Sequence, residues 1–412
     1  MAIPDSAELY KQPPPKFGHD LLKYFAFDPE YLNLNSGSYG ATPRPVLDAV
    51  NKLALEVEAN PDLFHRLQFQ ERLIDVRRRL AQLIGADVDE VVLVSNASTG
   101  INIALRNFEW EKGDTLIAFN TTYGSVDKTV KNIGDVPPYP TIEQFVVQFP
   151  TTHKEIVANF KEFIAALPTA EGKKTVVVID SIISNPGVLL PWKELVAITK
   201  EVGAWSVVDA AHSIGQETDI NLSEAQPDIW VSNCHKWLSA KRAVAVLYVP
   251  KRNHDVIKTS LPTSHSYALW ESFTGIRSLN MAQALDFRNW LGGEHKINEY
   301  SHALALEGGK RLAEILGTRV MDPDGELTLN MVNVELPFPG TIRPTEKLVV
   351  KFQRKLLEEK KAFSAFYYHN DRWWTRCSAQ IWNELEDFEK LGNIWVEACQ
   401  EILEDLGVSQ TS

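Results

Sequence analysis

The sequence is poor in cysteine. Only Cys234, Cys377 and Cys399 occur in 412 residues, and their spacing matches no metal-binding motif. Three unpaired thiols are typical of a protein from a reducing compartment, because disulfides form and persist mainly outside the cytosol. The sequence therefore predicts free cysteines, no metal site and a cytoplasmic location.

The chain also lacks an excess of positive charge and a long apolar run. Its formal net charge is -12, with 42 Lys and Arg against 54 Asp and Glu. Because nucleic acids and anionic membranes bind concentrated basic surfaces, we expect neither as the main partner. No apolar stretch approaches the roughly 18 residues of a membrane span. The amino terminus, MAIPDSAELYKQPPPKFGHD, has no signal-peptide core.

Seven short apolar runs, most of them separated by helical patterns, dominate the middle of the chain. They predict a mostly parallel sheet covered by helices on both faces. The last strand is expected to be antiparallel, because its connection is too short for a crossover helix. The predicted strands are residues 91–95, 115–119, 145–149, 175–180, 205–209, 229–232 and 244–249.

The remaining residues predict a second, smaller domain of α+β type, as the length of the chain also favours. We expect a strand at 331–336, a helix at 345–360, strands at 363–368 and 373–378, and a closing helix. The predicted division is an amino-terminal arm and part of the small domain at 1–35, a large domain at 36–285, and the small domain at 286–412.

Polar residues with complementary chemistry follow two of the predicted strands. The fifth strand ends in Asp209, with His212 close behind, and the sixth leads into Ser232, His235 and Lys236. In open sheets of this kind ligands bind beyond the carboxyl ends of the strands. An acid that protonates a pyridine nitrogen and a lysine that forms a Schiff base are what pyridoxal 5′-phosphate (PLP) requires. The alternative is a buried acid and a surface lysine without a shared function.

Other strand ends carry further candidates. Ser98 and Thr99 open a helix that could bind a phosphate, although an ordinary helix cap explains the same residues. Tyr123 could lie against a flat ring or act as an acid or base, but isolated tyrosines at strand ends usually belong to the core. Ser184 could bind a ring substituent. Arg376, in an aromatic segment, could be structural or could bind a substrate carboxylate.

The chain resembles fold-type I PLP enzymes of the class V aminotransferase superfamily. The similarity is greatest to the fungal isopenicillin N epimerase-like proteins, hercynylcysteine sulfoxide lyases and loline-type cyclases, and it extends over residues 18–395. It is carried by NLNSGSYGATP, VSNASTGINIALRN, TTYG, SNPGVLLPW, PDIWVSNCHKWL and RCSAQIW. Of these motifs, SNCHKWL is the most specific.

The resemblance implies a three-layer large domain around a seven-stranded, mostly parallel sheet, together with a smaller α+β domain. It implies Lys236, Asp209 and Tyr123 as catalytic residues, with Lys236 binding PLP covalently. The expected cofactor-binding residues are Ser98, Thr99, Tyr123, Ser184, Asp209, His212, Ser232, His235, Lys236 and, from a neighbouring subunit, Thr274. We assign substrate binding to Ser36, Tyr39, Tyr267 and Arg376.

The resemblance also implies a homodimer with shared active sites and a small amino-acid substrate. The chain departs from the family pattern, because no cysteine follows the TTYG motif and Ile276 replaces a usual threonine. These departures favour a specialised, non-transaminating enzyme of fungal secondary or thiol metabolism. Carbon–sulfur lysis and carbon–carbon-bond-forming alkaloid cyclisation both fit. Epimerisation and transamination stay open, as does a PLP-binding protein without turnover.

Overall fold

Three β-sheets organise residues 6–168, 172–262 and 281–407, the part of the chain described by a computed structural model. The strands are β1 (Leu32–Asn33), β2 (Val91–Val94), β3 (Thr115–Phe119), β4 (Thr141–Phe145), β5 (Thr175–Asp180), β6 (Trp205–Asp209), β7 (Ile229–Asn233), β8 (Ala245–Tyr248), β9 (Met331–Glu335), β10 (Ala362–Phe363), β11 (Ala365–His369) and β12 (Arg372–Ser378).

The helices cover these sheets. They are α1 (Ser6–Leu9), α2 (Ser36–Tyr39), α3 (Arg44–Ala59), α4 (Pro61–Leu63), α5 (Phe69–Leu83), α6 (Ala97–Asn107), α7 (Gly124–Gly134), α8 (His153–Ala166), α9 (Trp192–Glu201), α10 (Leu222–Ala225), α11 (Met281–Trp290), α12 (Gly293–Leu316), α13 (Glu346–Arg354) and α14 (Leu385–Asp405). Short 3-10 helices cover His19–Tyr24, Val88–Glu90 and Lys251–Asn253, and π-helical turns cover Phe64–Gln68 and Lys355–Glu359. Within the described residues, no helix has the length and apolar character needed to cross a membrane.

The largest sheet has the strand order β2-β8-β7-β6-β5-β3-β4. Its neighbours pair in parallel except at β8, which is antiparallel to both β2 and β7. Alternate residues of β5 belong to two different hydrophobic cores: Val177 and Ile179 to one, Val176 and Val178 to the other. Helices therefore cover both faces, which explains why the central strands are apolar throughout. This α/β architecture confirms the predicted three-layer fold and its antiparallel last strand.

The edge strand lies earlier in the chain than predicted. The predicted strand at 145–149 is wrong, because β4 pairs with β3 only from Thr141 to Phe145. Beyond Phe119 the partner strand has ended, and the Asn120 side chain takes its place. Its amide accepts a hydrogen bond from the Val147 N–H at 2.8 Å and donates one to the Val147 carbonyl at 3.1 Å. The alternating apolar residues of 145–149 are therefore buried, but their backbone does not pair with a neighbouring strand.

A second hydrophobic core lies around a smaller sheet, in which β12 runs antiparallel to both β11 and β9. Helices α12 and α14 pack together against it. Near the amino terminus, β1 pairs in parallel with β10, so the segment at Leu32 belongs to this part of the molecule. The pairing supports the proposal that residues 1–35 include part of the small domain, whose exact boundaries stay a prediction.

Candidate active site

A cavity of about 330 Å³ lies at the carboxyl ends of β5, β6 and β7. Because these strands are parallel neighbours, the residues that follow them meet at one edge of the sheet. The cavity is lined by Ser38, Tyr39, Asn96, Ala97, Ser98, Tyr123, Asp180, Ile182, Ser184, Asp209, Ala211, His212, Asn233, His235 and Lys236. Most of the described residues that the sequence predicts for the site are therefore brought together.

Lys236 lies just after β7, with its amine inside the cavity. Its Nζ is 3.0 Å from His212 Nε2 and 6.0 Å from the centre of the Tyr123 ring. Burial and the nearby Arg376 charge lower the pKa of Lys236 to about 7, while the Asp209 carboxylate acts in the opposite direction. A substantial fraction of the molecules therefore carries the free amine at neutral pH, the form that attacks carbonyl carbon.

Two carboxyl groups lie side by side on the floor of the cavity. Asp180 and Asp209 are register partners on β5 and β6, and both are buried. Asp209 Oδ1 accepts a hydrogen bond from the Ala211 N–H at 3.1 Å, and Asp180 Oδ2 accepts one from Thr122 Oγ1 at 3.3 Å. Burial raises the pKa of both groups, and the charge of Asp209 raises the pKa of Asp180 further.

Among the described residues neither carboxyl has a cation within ion-pair distance, and only the more distant Lys236 charge lowers the pKa of Asp209. A buried carboxylate is costly without a cationic or hydrogen-bonding partner, and a protonated pyridine nitrogen would supply one to Asp209. Asp180 was missed in the sequence, although it closes the fourth predicted strand in the same way that Asp209 closes the fifth.

The amino terminus of α6 forms the next wall of the cavity. Asn96 caps the helix by accepting a hydrogen bond from the Thr99 N–H at 2.8 Å, and Asn233 Oδ1 accepts one from the Ala97 N–H at 2.9 Å. The Ser98 hydroxyl lies 2.6 Å from Ser125 Oγ. A helix amino terminus attracts anions, so Ser98 and this end of the helix could bind a phosphate. Neither Asn96 nor Asn233 is among the site residues predicted from the sequence.

Two predicted phosphate-binding residues do not line the cavity. Thr99 Oγ1 accepts a hydrogen bond from Ser95 Oγ at 2.9 Å. The Ser232 hydroxyl donates to the Ala210 carbonyl and accepts from the Ile214 N–H at 3.0 Å, so it links β7 to the segment that follows β6. Their assignment to cofactor binding stays a prediction.

His235, by contrast, lines the cavity. Its Nδ1 donates to the Val244 carbonyl at 3.0 Å, and this bond fixes the orientation of the ring. Burial lowers the pKa of His235, so its ring is held in the neutral form. Its Nε2 is therefore left as the nitrogen that could meet a ligand.

The turn that follows α2 closes the cavity from the opposite side. Gly40 has φ +66°, and a Cβ placed there would lie 1.7 Å from the His235 carbonyl oxygen. Arg242 holds the turn by donating to the Tyr39 carbonyl at 2.8 Å and to the Gly40 carbonyl at 3.1 Å. Only glycine therefore fits against the segment that carries Lys236.

Arg376 lies behind this turn with 1% of its surface exposed. Its guanidinium donates to the Ser184 carbonyl at 2.6 Å, to Ser38 Oγ at 2.9 Å and to Asn35 Oδ1 at 3.1 Å. In the described part of the chain its Nε–H has no partner, and neither has the buried hydroxyl of Ser36. Burial lowers the pKa of Arg376 to about 10, which leaves it cationic at neutral pH. A buried cation surrounded by neutral acceptors could bind a carboxylate.

Two predicted site residues, Tyr267 and Thr274, lie outside the described residues. The departure at Ile276 lies there as well. The predicted contact of a second subunit with the phosphate therefore stays a prediction.

The donor set fits PLP. Lys236 offers an amine with a lowered pKa, Asp209 a buried carboxyl group, and Ser98 a hydroxyl at a helix amino terminus. Tyr123 places an aromatic ring close to the amine. These are the groups needed to bind an aldehyde, a pyridine nitrogen and a phosphate at one place.

Comparison with known proteins agrees with this geometry. The family model "Aminotransferase class-V" matches residues 32–338. The L-cysteine desulfhydrase-like protein lolT1 of Epichloe uncinata is 33% identical over 441 residues, covering 94% of this chain and 97% of that protein. The hercynylcysteine sulfoxide lyase of Schizosaccharomyces pombe is 28% identical over 403 residues, covering 93% and 98%.

Among solved structures, the apo cysteine desulfurase of Thermococcus onnurineus superimposes with a TM-score of 0.75 and 19% sequence identity. The match covers 95% of this chain and 100% of that one. At this identity the likeness shows a shared fold. Taken with the family match, the cofactor is PLP. The chain belongs to the class V aminotransferase family of PLP-dependent enzymes.

Proposed function

We propose that this enzyme is a carbon–sulfur lyase that cleaves the Cβ–S bond of a cysteine-derived amino acid. The observation that carries the proposal is the position of its cysteines. Cys234, Cys377 and Cys399 are all buried and free, and none lines the cavity. Burial raises the pKa of Cys234, and it raises the pKa values of Cys377 and Cys399 to about 12.

An enzyme that takes over the sulfur of its substrate needs an accessible thiolate, and these cysteines offer none. The sulfur therefore leaves as a small product. The names of the relatives, a cysteine desulfhydrase-like protein and a sulfoxide lyase, support the same reaction.

Four residues are proposed to bind PLP and the substrate. Lys236 is the attachment site of PLP, Asp209 pairs with the pyridine nitrogen, and Ser98 binds the phosphate at the amino terminus of α6. Bound PLP supplies an electron sink that stabilises negative charge at the substrate Cα. Arg376, whose Nε–H has no partner among the described residues, binds the substrate carboxylate through this group and thereby orients the Cα–H bond toward the lysine.

Lys236 would transfer the proton once the substrate amino group has taken its place on the cofactor and released its amine. With a pKa of about 7, its amine is basic enough to remove the Cα proton and is largely unprotonated at slightly alkaline pH. As the proton moves to Nζ, the Cβ–S bond breaks and the sulfur leaves with its electron pair. Water then hydrolyses the remaining three-carbon unit to pyruvate and ammonia. Tyr123, half-exposed at the start of α7, covers the mouth of the cavity beside the lysine.

The test is the release of pyruvate and ammonia, together with sulfide or thiol, from cysteine and its S-conjugates. We expect equal amounts of pyruvate and sulfur product from the PLP-loaded protein. Lys236→Ala should release none, whereas Lys128→Ala, on the outer surface of α7, should behave as wild type.

A ring-forming or epimerising reaction, which the sequence also allows, gives a different result. Exchange of the Cα proton for deuterium without pyruvate from any conjugate would contradict the lyase and favour those reactions. Absence of both would favour a protein that binds PLP without turnover.

We also propose that the enzyme acts as a cytoplasmic homodimer. Leu55, Leu63 and Leu67, near the start of the chain, expose 72%, 42% and 71% of their surface, more than is usual for leucine. The free cysteines suit a reducing compartment. Sedimentation at equilibrium tests the dimer, and a monomer at micromolar concentration would contradict it.

A further inference from the structure

We propose that Trp237 is a positioning residue that fixes the tautomer of His212 and thereby holds Lys236 as a free amine. The inference rests on the proposed role of Lys236 and deepens it, because it explains how the reactive lysine is kept ready. Trp237 follows Lys236 directly in the chain and is buried, with 1% of its surface exposed. Its indole N–H lies 3.2 Å from His212 Nδ1.

Only one assignment of donors and acceptors fits the hydrogen bonds among Trp237, His212 and Lys236. An indole N–H only donates, so His212 Nδ1 must accept. Burial lowers the pKa of His212 well below its usual range, so the ring is neutral and carries its one proton on Nε2. That Nε2–H faces Lys236 Nζ at 3.0 Å. An ammonium group has no lone pair to accept this proton, whereas the free amine has one.

The opposite tautomer would reverse the relation between histidine and lysine. With its proton on Nδ1, His212 would turn an N–H toward the indole N–H and a lone pair toward Nζ. The lone pair would stabilise the lysine ammonium and raise the pKa of Lys236. The indole therefore favours the free amine by excluding the one histidine tautomer that would bind its protonated form.

A buried ion pair holds Trp237 and His212 in position. Arg288 donates to the Trp237 carbonyl at 2.7 Å and to the Gly215 carbonyl at 3.0 Å, so one guanidinium ties together the segments that follow β7 and β6. Glu294 binds the same guanidinium through both carboxylate oxygens. The backbone around the indole and the imidazole is therefore fixed from the side away from the cavity.

Other charges act on the same amine, but removing the indole N–H leaves them in place. Arg376, on β12, lowers the pKa of Lys236, and Asp209, on β6, raises it. The titratable groups that face the amine are Asp180 on β5, Asp209 on β6, His212 and His235 in the segments after β6 and β7, Tyr123 before α7 and Arg376 on β12. A substitution that removes the indole N–H and leaves these charged groups in place therefore separates the effect of the tautomer from theirs.

Trp237→Phe removes the donor and keeps an aromatic ring. Trp230→Phe is the matched control, because Trp230 is also fully buried on β7 while its Nε1 has no partner in the described part of the chain. The first measurement is the ¹⁵N chemical shift pair of His212 in the apo protein, assigned by its loss in His212→Gln. We expect a protonated Nε2 and an unprotonated Nδ1 in wild type and Trp230→Phe, and a tautomer mixture in Trp237→Phe.

The second measurement is the rate at which PLP attaches to the apo protein as a function of pH. Losing the hydrogen bond that fixes the tautomer should raise the midpoint in Trp237→Phe by up to about 0.7 pH unit. Because the wild-type midpoint is about 7, attachment at pH 7 should slow by up to about threefold. At a pH well above both midpoints the rates should be equal. Trp230→Phe should show no shift.

A wild-type His212 protonated on Nδ1 would overturn the proposal, and this result requires no variant to fold. Equal histidine spectra and equal pH midpoints in wild type and Trp237→Phe would also overturn it, because Trp237 would then serve packing alone. Failure of the proposed function is a separate result. The protein would release no pyruvate, while the histidine spectra could still show the predicted tautomer.

Discussion

Gly40→Ala is expected to damage the active site far more than its effect on folding would suggest. A Cβ at this position would lie 1.7 Å from the His235 carbonyl oxygen and 2.8 Å from the Lys236 carbonyl oxygen, where contacts under 3.0 Å are not tolerated. The two backbones must therefore move apart by more than 1 Å. Arg242 anchors the turn on one side, so the segment that carries Lys236 takes up part of the movement. A misplacement of about 1 Å in a catalytic group can cost about 100-fold in rate.

The control for this substitution is Gly203→Ala. Gly203 also has a positive φ, +72°, but a Cβ there would meet nothing within 4 Å. Both variants should lose about 1–2 kcal/mol of stability from the unfavourable backbone conformation. Only Gly40→Ala should lose bound PLP and about 100-fold in kcat/KM for pyruvate formation. If Gly40→Ala keeps the PLP content and kcat/KM of Gly203→Ala, the close approach of this turn to Lys236 is not needed for function.

Four further outcomes are expected. Asp209→Asn should retain PLP but lower kcat for pyruvate release by about 100-fold or more, measured under saturating substrate, because the charge facing the ring nitrogen is lost. In the apo protein the pKa of Asp180 is raised, so the free energy of unfolding decreases as the pH rises above about 4, where the carboxyl of the unfolded chain loses its proton. Thermal unfolding at two pH values should show a smaller decrease in stability for Asp180→Asn than for wild type. An equal decrease in both proteins would contradict this role of Asp180. Arg376→Lys should raise KM for an amino acid by about 10-fold or more but not for an amine without a carboxylate, because lysine has no Nε–H at the position that binds the carboxylate. In a pH profile, kcat should decline below about 7, because the Lys236 amine that the substrate has released from the cofactor is then protonated, and a kcat that stays flat down to pH 5 would exclude it as the base.

The acid and the lysine of the site could be predicted because their positions depend only on where apolar runs end. The bounds of β5 and β6 agree with the predicted strands, and Asp209 closes β6 as expected. Asp180 obeys the same rule, yet its importance becomes clear only from the strand register that sets it opposite Asp209. A single sequence does not give that register.

Other features depend on tertiary packing and have no local signal. Ser232 faces the Ala210 carbonyl instead of the cavity, a choice that the strand pattern alone does not decide. The predicted position of the edge strand is wrong because the Asn120 side chain, and not a neighbouring strand, forms hydrogen bonds with the backbone of Val147. Gly40 lies against His235, which is far away in the chain. The sequence of the turn alone therefore does not show that position 40 requires glycine.

The role of Lys236 is tested most directly by locating the residue to which PLP binds covalently. Borohydride reduction of the PLP-loaded protein, followed by proteolysis and mass spectrometry, locates the lysine that carries the cofactor. We expect a stoichiometric PLP-derived mass on the peptide containing Lys236 and on no other lysine. A label on a different lysine, or none at saturating PLP, would contradict it.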